Sequence, residues 1–259
     1  MPIHPTAIVS PKAEIAEDVT IEAYSIIGPD VIIGSGTVVG PHIVIEGKTT
    51  IGANNRIYPF VSIGLSPQDL TYAGEETGVV IGDDNIIREN ATIHRGTGRG
   101  VGITRIGNGV FLMAYAHVAH DCQIGNGVIM ANAATLGGHV ELGEYAVIGG
   151  IVAIHQFVRI GEYSCIGGFS GVRMDIPPYV LATGALGAKL YGPNLIGLRR
   201  HGFSPKTIQA IKKCYKILFR SGLTVKEAVL KAREVIEPLP EVEKLIEFVS
   251  SSSKRGLSR

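Results

Sequence analysis

The stretch IAEDVTIEAYSIIGPDVIIGSGTVVGPHIVIEGKTTIGANNRI, residues 15–57, decides the fold because isoleucine or valine occupies every sixth position from its first residue. Neither the helical period of 3.6 residues nor the strand period of two produces this spacing. A six-residue period is typical of a solenoid in which each hexapeptide supplies a short strand and a turn. Three hexapeptides would complete one triangular coil, with the periodic aliphatic side chains directed inward.

The same period extends outward from this stretch. It covers positions 3–63, resumes over 81–93, and continues over 106–172 after a shift of one residue. Two polar segments, residues 65–79 and 97–104, interrupt it and are predicted to be loops, which often carry binding residues on a rigid scaffold. We therefore predict a mainly β protein, a left-handed parallel β-helix of hexapeptide repeats; an ordinary β-sandwich would not keep this register for so long.

A helical segment is predicted after the repeat ends. Ser204–Pro205 has the pattern of an N-cap followed by proline in the first turn, and Thr224–Glu227 has that of a capping box. A third helix is predicted at about residues 241–250, and residues 251–259 are predicted to fray.

These patterns divide the chain into a β-helix domain, residues 1–190, and a C-terminal α-helical domain, residues 191–259. The open end of a β-helix exposes unpaired strand edges, so a helical cap or an oligomer contact is expected there.

Composition narrows the function. The 259 residues contain 24 Lys and Arg against 23 Asp and Glu, a net charge of +1, which argues against a general nucleic-acid binder. The three cysteines form no disulfide framework or metal motif. Neither a signal peptide nor an apolar run long enough to span a membrane is recognised, so a soluble, cytoplasmic protein is expected.

Histidines concentrate in the regular coils, and their spacing has a geometric meaning. His120, Gly138 and Gln156 are eighteen residues apart, as are Asp121 and His139. Because one coil takes eighteen residues and neighbouring strands lie about 4.8 Å apart, each set should form a column. An imidazole, a backbone N–H and an amide would then face one small ligand.

Two interpretations of this column stay open. In the functional one, His120 is a general base, Asp121 orients its ring or favours its protonated form, and the Gly138 N–H stabilises an oxyanion. In the other, these histidines are surface residues outside the coil.

Other classes of protein fit the residues less well. G-x-S-x-G is absent, so a direct transfer is favoured over a covalent enzyme intermediate. Some hexapeptide-repeat proteins resemble carbonic anhydrases with three histidines on zinc at a trimer interface, but here the column has His, Gly and Gln, a poor ligand set. No metal site is therefore predicted. In a scaffold protein without catalytic function, this concentration of histidines would not be expected.

Several longer motifs resemble one enzyme family over essentially the whole chain. They are Pro67–Leu70, Tyr72–Glu75, Ile87–Glu89, Ile93–Thr97, His117–Cys122, Gly138–Val140, His155–Phe157, Asp175–Tyr179 and Gly197–Arg200. On these residues the chain is similar to the acyl-[acyl-carrier-protein]–UDP-N-acetylglucosamine O-acyltransferases of lipid A biosynthesis.

The resemblance implies a homotrimer with active sites between neighbouring β-helices. It also implies transfer of an (R)-3-hydroxyacyl group from acyl carrier protein to the 3-hydroxyl of the UDP-sugar, with no cofactor and no stable membrane insertion. It gives His120 the role of base, with Asp121 beside it, and makes the Gly138 N–H the oxyanion donor. The substrate residues it implies are Gln68, Asp69, His94, His117, His139, His155, Gln156, Asn194 and Arg200, with Cys165 and Gly168 in the acyl-chain groove.

Charge adds a prediction about the carrier protein. Residues 199–259 contain 14 Lys and Arg against 6 Asp and Glu, a net +8. Because acyl carrier protein is acidic, this segment is predicted to steer it onto the enzyme, although a solvated helix surface would have the same composition. The candidate residues are Lys206, Lys212, Lys213, Lys216 and Arg220.

The chain departs from the family pattern around the acceptor. Thr71 replaces the usual lysine, Ile196 replaces a glutamate, and His201 follows the arginine pair. These changes leave a second acceptor open, the 3-amino analogue of the sugar, which would give an amide. A glycine at position 168 leaves room in the groove and favours a longer acyl chain.

Overall fold

The chain, described here over residues 3–251 and 253–259 by a computed structural model, folds as a parallel β-helix followed by a small helical part. Most strands have only two residues, as expected when each hexapeptide must also make a turn. In chain order the strands are β1 Ile8–Val9, β2 Glu14–Ile15, β3 Thr20–Ile21, β4 Ile26–Ile27, β5 Val31–Ile33, β6 Val38–Val39, β7 Val44–Ile45, β8 Lys48–Ile51, β9 Arg56–Ile57, β10 Ser62–Leu65, β11 Gly78–Ile81, β12 Ile86–Ile87, β13 Thr92–His94, β14 Ile103–Ile106, β15 Phe111–Leu112, β16 His117–Val118, β17 Gln123–Ile124, β18 Ile129–Met130, β19 Thr135–Leu136, β20 Glu141–Leu142, β21 Val147–Ile148, β22 Ala153–Ile154, β23 Arg159–Ile160, β24 Cys165–Ile166, β25 Gly171–Val172, β26 Val180–Thr183 and β27 Lys189–Pro193.

The strands form three sheets, one on each face of a triangular coil. Sheet I contains β1, β4, β7, β10, β13, β16, β19, β22 and β25; sheet II contains β2, β5, β8, β11, β14, β17, β20 and β23; and sheet III contains β3, β6, β9, β12, β15, β18, β21, β24, β26 and β27. Every pairing within the coils is parallel, and in the regular part partners are eighteen residues apart, as His117 and Thr135 are. The predicted fold class is confirmed.

The core is the column of aliphatic side chains predicted from the six-residue period. The second residue of nearly every two-residue strand points inward, and Ile45, Ile63, Ile93 and Val118 are fully buried. Burying a side chain of this size stabilises the folded state by roughly 1.5–3 kcal/mol. The repetition along the axis therefore lets a chain with few aromatic residues make one long core.

Three corners join the sheets, and each is named by the sheets it connects. At the corner between sheets I and II, Asp121, His139 and Phe157 have φ angles of 61°, 61° and 67°. This left-handed region is uncommon for residues other than glycine, although Asp and His are enriched in it. The three residues are stacked one coil apart, so their side chains form a column along this corner.

Both predicted loops leave the helix at this same corner. The first connects β10 to β11 and the second connects β13 to β14. The strands on either side remain paired in parallel with their neighbours, as Ile81 is with Ile106. The insertions therefore extend over the corner without disturbing the core.

The C-terminal part contains four helices, α1 Leu195–Arg200, α2 Pro205–Arg220, α3 Val225–Val235 and α4 Pro240–Ser250. The Ser204 side chain accepts from the Thr207 N–H, and Thr224 forms the predicted capping box with Glu227. Both predicted helix starts are thus confirmed. Strand β27 pairs antiparallel with β26 and runs across residue 190, so the proposed division at 190 falls within a strand and stays a prediction.

The expectation that the last residues fray is wrong for 253–259, while Ser252 lies outside the described residues. The N–H of Asp175 donates to the Gly256 carbonyl at 2.8 Å, and that of Ser258 donates to the Asp175 carbonyl at 2.9 Å. The Ser258 hydroxyl adds a bond to Ala188. The segment is therefore docked on the last coils. In the described part of the chain, no helix is long and apolar enough to cross a membrane.

Candidate active site

A groove of about 990 Å³ lies at the corner between sheets I and II, beneath the two loops. The predicted site residues that line it come from three coils and from the first loop. They are Gln68, Asp69, His120, Asp121, His139 and Gln156.

His120 and Asp121 form the polar centre of this groove. The His120 Nδ1 lies 2.9 Å from the Asp121 Oδ2, and 14% of the His120 side chain is exposed while that of Asp121 is buried completely. Since Nδ1 is directed at a carboxylate, it carries the proton, and Nε2 is left with a lone pair to accept another. The geometry suits a general base.

Asp121 also holds the second loop in place. Its carboxylate accepts from the Thr97 hydroxyl at 2.7 Å and from the backbone N–H groups of Thr97 and Gly102 at 3.1 and 2.9 Å. Burial alone would raise the pKa of Asp121, but the hydrogen bonds from His120 and Thr97 outweigh it and hold the pKa below its usual value. Asp121 is therefore an anion that couples loop and base.

Gly138 lies directly against the His120 ring. A Cβ at position 138 would come within 2.4 Å of the His120 Cε1 and 2.5 Å of its Nε2, so only glycine fits beside the ring as it stands. Among the described residues, nothing accepts a hydrogen bond from the Gly138 N–H. A backbone donor is thus available next to the base.

His94 and His117 lie behind His120 on sheet I. Their rings meet edge to face at 5.1 Å, and the His117 Nδ1 lies 2.7 Å from the Thr92 hydroxyl. Burial lowers the pKa of His117 to about 4 and also lowers that of His94, so both are neutral at physiological pH. The buried His94 Nδ1 has no hydrogen-bond partner within the described ranges, and His94 does not line the groove itself.

The first loop brings Asp69 to the groove, and Thr71 fixes it there. The Thr71 N–H and hydroxyl both donate to the Asp69 Oδ1 at 2.8 Å. These bonds, the backbone one first, lower the pKa of Asp69. Thr71, the residue that departs from the family pattern, therefore positions a predicted substrate residue.

Other predicted residues lie elsewhere in the single chain. His155 is exposed at the sheet I end of the same corner, while Cys165 lies on sheet III and Gly168 lies at the corner between sheets III and I. Asn194 caps α1 by accepting from the Gly197 N–H and donates to the Tyr163 carbonyl, and Arg200 is exposed in the last turn of α1. The chain alone does not bring these residues to His120.

Three possible metal ligands from the two columns lie closer together than the sequence predicts. His120, Asp121 and His139 each present a ligand atom within 4.8 Å of the others, because the Nδ1 atoms of both rings approach the Asp121 Oδ2, at 2.9 and 3.9 Å. Zinc enzymes use three such ligands. This carboxylate is already occupied by loop hydrogen bonds, and the absence of a metal site stays a prediction.

Sequence reasoning missed Arg99, Phe157 and Lys254, which also line the groove. Phe157 stacks on His139 with ring centroids 4.4 Å apart, and its position eighteen residues after His139 is a signal that could have found it. Arg99 lies in an irregular loop, and Lys254 comes from the far end of the chain, so neither belongs to a period.

Comparisons with known proteins identify the family of the chain. Residues 175–258 match the model of the family described as UDP N-acetylglucosamine O-acyltransferase, domain 2, and residues 12–47 and 103–138 match bacterial transferase hexapeptide repeats. The acyl-[acyl-carrier-protein]–UDP-N-acetylglucosamine O-acyltransferase of Syntrophobacter fumaroxidans is 62% identical over the full length of both chains. That of Aquifex aeolicus is also 62% identical, over 100% of this chain and 98% of the relative.

A solved structure extends the similarity to three dimensions. The UDP-N-acetylglucosamine O-acyltransferase of Moraxella catarrhalis superposes with a TM-score of 0.96 at 46% identity, covering 100% of each chain. Identity at this level over the whole length includes both the β-helix and the helical part. The chain therefore belongs to the UDP-N-acetylglucosamine O-acyltransferase family.

Proposed function

We propose that the protein transfers an (R)-3-hydroxyacyl group from acyl carrier protein to the 3-hydroxyl of UDP-N-acetylglucosamine, the first step of lipid A biosynthesis. The observation that carries the proposal is the pair of His120 and Asp121, which line a groove large enough for a sugar and a thioester. The buried Gly138 lies directly behind the His120 ring, and its N–H has no acceptor among the described residues. Close relatives over the full chain length bear the name of this activity.

In the proposed mechanism the His120 Nε2 takes the proton of the acceptor hydroxyl while Asp121 stabilises the imidazolium. The acceptor oxygen attacks the thioester carbonyl, and the resulting oxyanion accepts a hydrogen bond from the Gly138 N–H. Collapse of this intermediate breaks the carbon–sulfur bond, and the imidazolium returns its proton to the carrier thiolate. An ester and a free thiol result, and the enzyme regains its starting protonation state.

The acceptor is proposed to lie between Asp69 and His94. Asp69 is held as an anion that accepts hydroxyl hydrogens, and the buried His94 Nδ1 lacks a partner among the described residues. His139 and Gln156 line the same groove and keep their predicted roles in substrate binding. His117 and His155 lie outside its lining, and their proposed substrate roles come from the family resemblance. The relatives' names specify O-acylation, so the 3-amino acceptor is not favoured.

A homotrimer would complete the site. Cys165 and Gly168 lie on another sheet and corner, so they can meet His120 only if a neighbouring copy supplies them. The corner between sheets III and I also exposes a row of apolar side chains, as expected of a contact surface. The row consists of Tyr24, Phe60, Tyr115, Ile151 and Phe169.

The basic helical part is proposed to receive the acidic carrier protein. Lys206 pairs with Glu237, Lys213 bonds to a backbone carbonyl, and Arg220 packs on Tyr215. Lys212 and Lys216 form no ion pair with the residues that the structure describes, so they are the best candidates for steering the carrier. A cytoplasmic location fits these substrates and stays a prediction.

A competition assay tests the proposal. Purified enzyme would receive mixed 3-hydroxyacyl carrier proteins with equal amounts of UDP-N-acetylglucosamine and its 3-amino analogue, with products identified by mass spectrometry. An ester product supports the proposal, an amide alone would establish the other acceptor, and no acylation would refute it. His120→Ala should abolish turnover in a protein that stays folded; wild-type turnover would remove His120 from the role of base.

The acyl-chain groove is open to a separate test. Gly168 is exposed, and the nearest atom to an added Cβ would be the Gly150 carbonyl oxygen at 3.3 Å, a tight contact that a shift of a few tenths of an ångström would relieve. Gly168→Met should shorten the preferred acyl chain by filling the groove, measured in the same mixture of carrier proteins. An unchanged chain-length preference would contradict the groove assignment.

A further inference from the structure

The C-terminal segment, residues 253–259, places a cation in the groove. It is fastened to the last coils on both sides of Lys254: the Arg255 Nε donates to the Gln156 carbonyl at 2.7 Å, and residues 256 to 258 pair with Asp175. The Lys254 Nζ lies 4.1 Å from the centroid of the Phe157 ring, which stacks in turn on His139. The ammonium group is thus held over a fixed aromatic surface.

The charges around the groove leave Lys254 without a carboxylate partner. Arg159 is paired with Asp175 at 2.7 Å, and the Asp121 carboxylate is saturated by the second loop and His120. Within residues 3–251 and 253–259, Arg99 and Lys254 line the groove and form no ion pair with an acidic side chain. Asp69 and Glu141 also line the groove, and neither forms an ion pair with Arg99 or Lys254, so these two cations are left to bind an anion.

The residue at position 71 supports the assignment of an anion site to Arg99 and Lys254. The first loop offers a hydroxyl rather than a cation at the rim of the groove, and that hydroxyl is already used to hold Asp69. Positive charge must therefore come from the second loop and from the docked segment. Both substrates of the proposed reaction carry phosphate, as the diphosphate of the sugar nucleotide and as the phosphodiester of the carrier's prosthetic group.

We propose that Lys254 binds a substrate phosphate and thereby acts as a substrate-binding residue of the transfer reaction. This inference rests on the proposed function for the identity of the phosphate. Charge-assisted hydrogen bonds to phosphate are among the stronger polar contacts, and losing one at an exposed position should weaken binding by about tenfold.

The test compares Lys254→Ala and Lys254→Arg with wild type. Steady-state assays give KM for UDP-N-acetylglucosamine and for acyl carrier protein, and titration calorimetry gives the affinities for UDP-N-acetylglucosamine and 4′-phosphopantetheine without turnover. Lys12→Ala is the matched control, because Lys12 is an exposed lysine at the same corner at the other end of the β-helix. We expect Lys254→Ala to raise one KM about tenfold with kcat little changed, and Lys254→Arg to retain most of the affinity.

The substrate affected identifies the phosphate. A rise confined to UDP-N-acetylglucosamine places Lys254 on the diphosphate, and a rise confined to the carrier, matched by weaker 4′-phosphopantetheine binding, places it on the phosphodiester. Unchanged KM values and affinities, or equal losses in the Ala and Arg variants, would overturn the inference. An inactive wild-type enzyme would refute the proposed function. The phosphate inference would still be decided by calorimetry, because calorimetry needs no turnover.

Discussion

At the scale of single residues, the site depends on how little space surrounds His120. Asp121 fixes one ring nitrogen and Gly138 supplies a bare backbone against the other side of the ring. Displacing a catalytic group by about 1 Å can cost about a hundredfold in rate. Small substitutions here should therefore change catalysis more than stability.

Gly138→Ala should lower kcat about a hundredfold because its Cβ would force the His120 ring out of place. Steady-state kinetics measure the loss, and circular dichroism should show an unchanged fold. Gly150→Ala is the matched control, because both glycines occupy the same place in a hexapeptide. Gly150 is the second residue after the inward-pointing Ile148, and Gly138 is the second residue after the inward-pointing Leu136. Its Cβ would meet nothing closer than 3.4 Å. Equal rates in both alanine variants would refute the steric argument.

The neutral His117 should make the protein sensitive to acid. Its folded pKa is about 4 against an ordinary 6.5, so between these values the unfolded chain binds a proton that the folded chain does not. The free energy of unfolding should therefore fall as pH drops from 6.5 to 4, by about 3 kcal/mol per chain. Urea unfolding at several pH values measures this slope.

His117→Asn provides the comparison, because its amide can still meet the Thr92 hydroxyl without titrating. The variant should show a flatter dependence of stability on pH across the same range. The same slope in both proteins would mean that other groups cause the acid sensitivity.

At the scale of elements, one arginine side chain connects the first loop to the strands beside it. Arg95 donates to the Tyr72 hydroxyl, the Gly64 carbonyl and the Ser66 hydroxyl, at 3.0, 3.1 and 3.0 Å. These bonds join the second interruption of the repeat to the first. Asp69 therefore reaches the groove on a loop whose position depends on one guanidinium group.

Arg95→Ala should speed amide hydrogen exchange over residues 66–77 and lower kcat/KM about tenfold, because it removes two hydrogen bonds to the first loop and a third to the end of β10. Lys48→Ala is the control on the same loop. It removes an ion pair with Glu76 whose side chains are 68% and 81% exposed, and such pairs contribute little. Unaltered exchange in the Arg95 variant would show that the loop is held by other contacts.

Elements differ in how far sequence predicts them. The six-residue period predicts the strands, and the eighteen-residue coil predicts the column of His120, Gly138 and Gln156, because both follow from local spacing. The loop conformations and the docked tail depend on partners far away in sequence, such as Asp121 for Thr97 and Asp175 for Gly256. No period encodes those contacts, so Lys254 could not be placed from the sequence.

At the scale of the whole molecule, one corner of the β-helix differs from the others. The corner between sheets III and I presents its apolar row along much of the axis, from Tyr24 to Phe169, and His42 stacks between Tyr24 and Phe60. Asn90 interrupts the row between Phe60 and Tyr115, but an exposed surface with this many apolar side chains marks a contact site. It gives the proposed trimer a defined interface.

Ile151→Lys should convert the proposed trimer into monomers, because the charge would be buried without a partner at the contact. Light scattering coupled to size-exclusion chromatography measures the mass. Leu230→Lys is the control, since Leu230 is 63% exposed on α3, against 56% for Ile151, away from this corner. A trimer that persists in the Ile151 variant would exclude this corner as the interface.

The parallel stacking also constrains how such a chain can change length during evolution. Ile63 and Ile93 are paired on neighbouring strands although the coil between them, which includes the first loop, makes them 30 residues apart. Ile81 and Ile106 are paired in the same way at a separation of 25 residues. A regular coil takes eighteen, so the corners have absorbed insertions of 12 and 7 residues without shifting any inward side chain. Away from the corners, a single inserted residue would direct the buried aliphatic side chains toward solvent. Viable insertions and deletions should therefore come as whole coils or at corners, so that new binding loops can arise without altering the core that supports them.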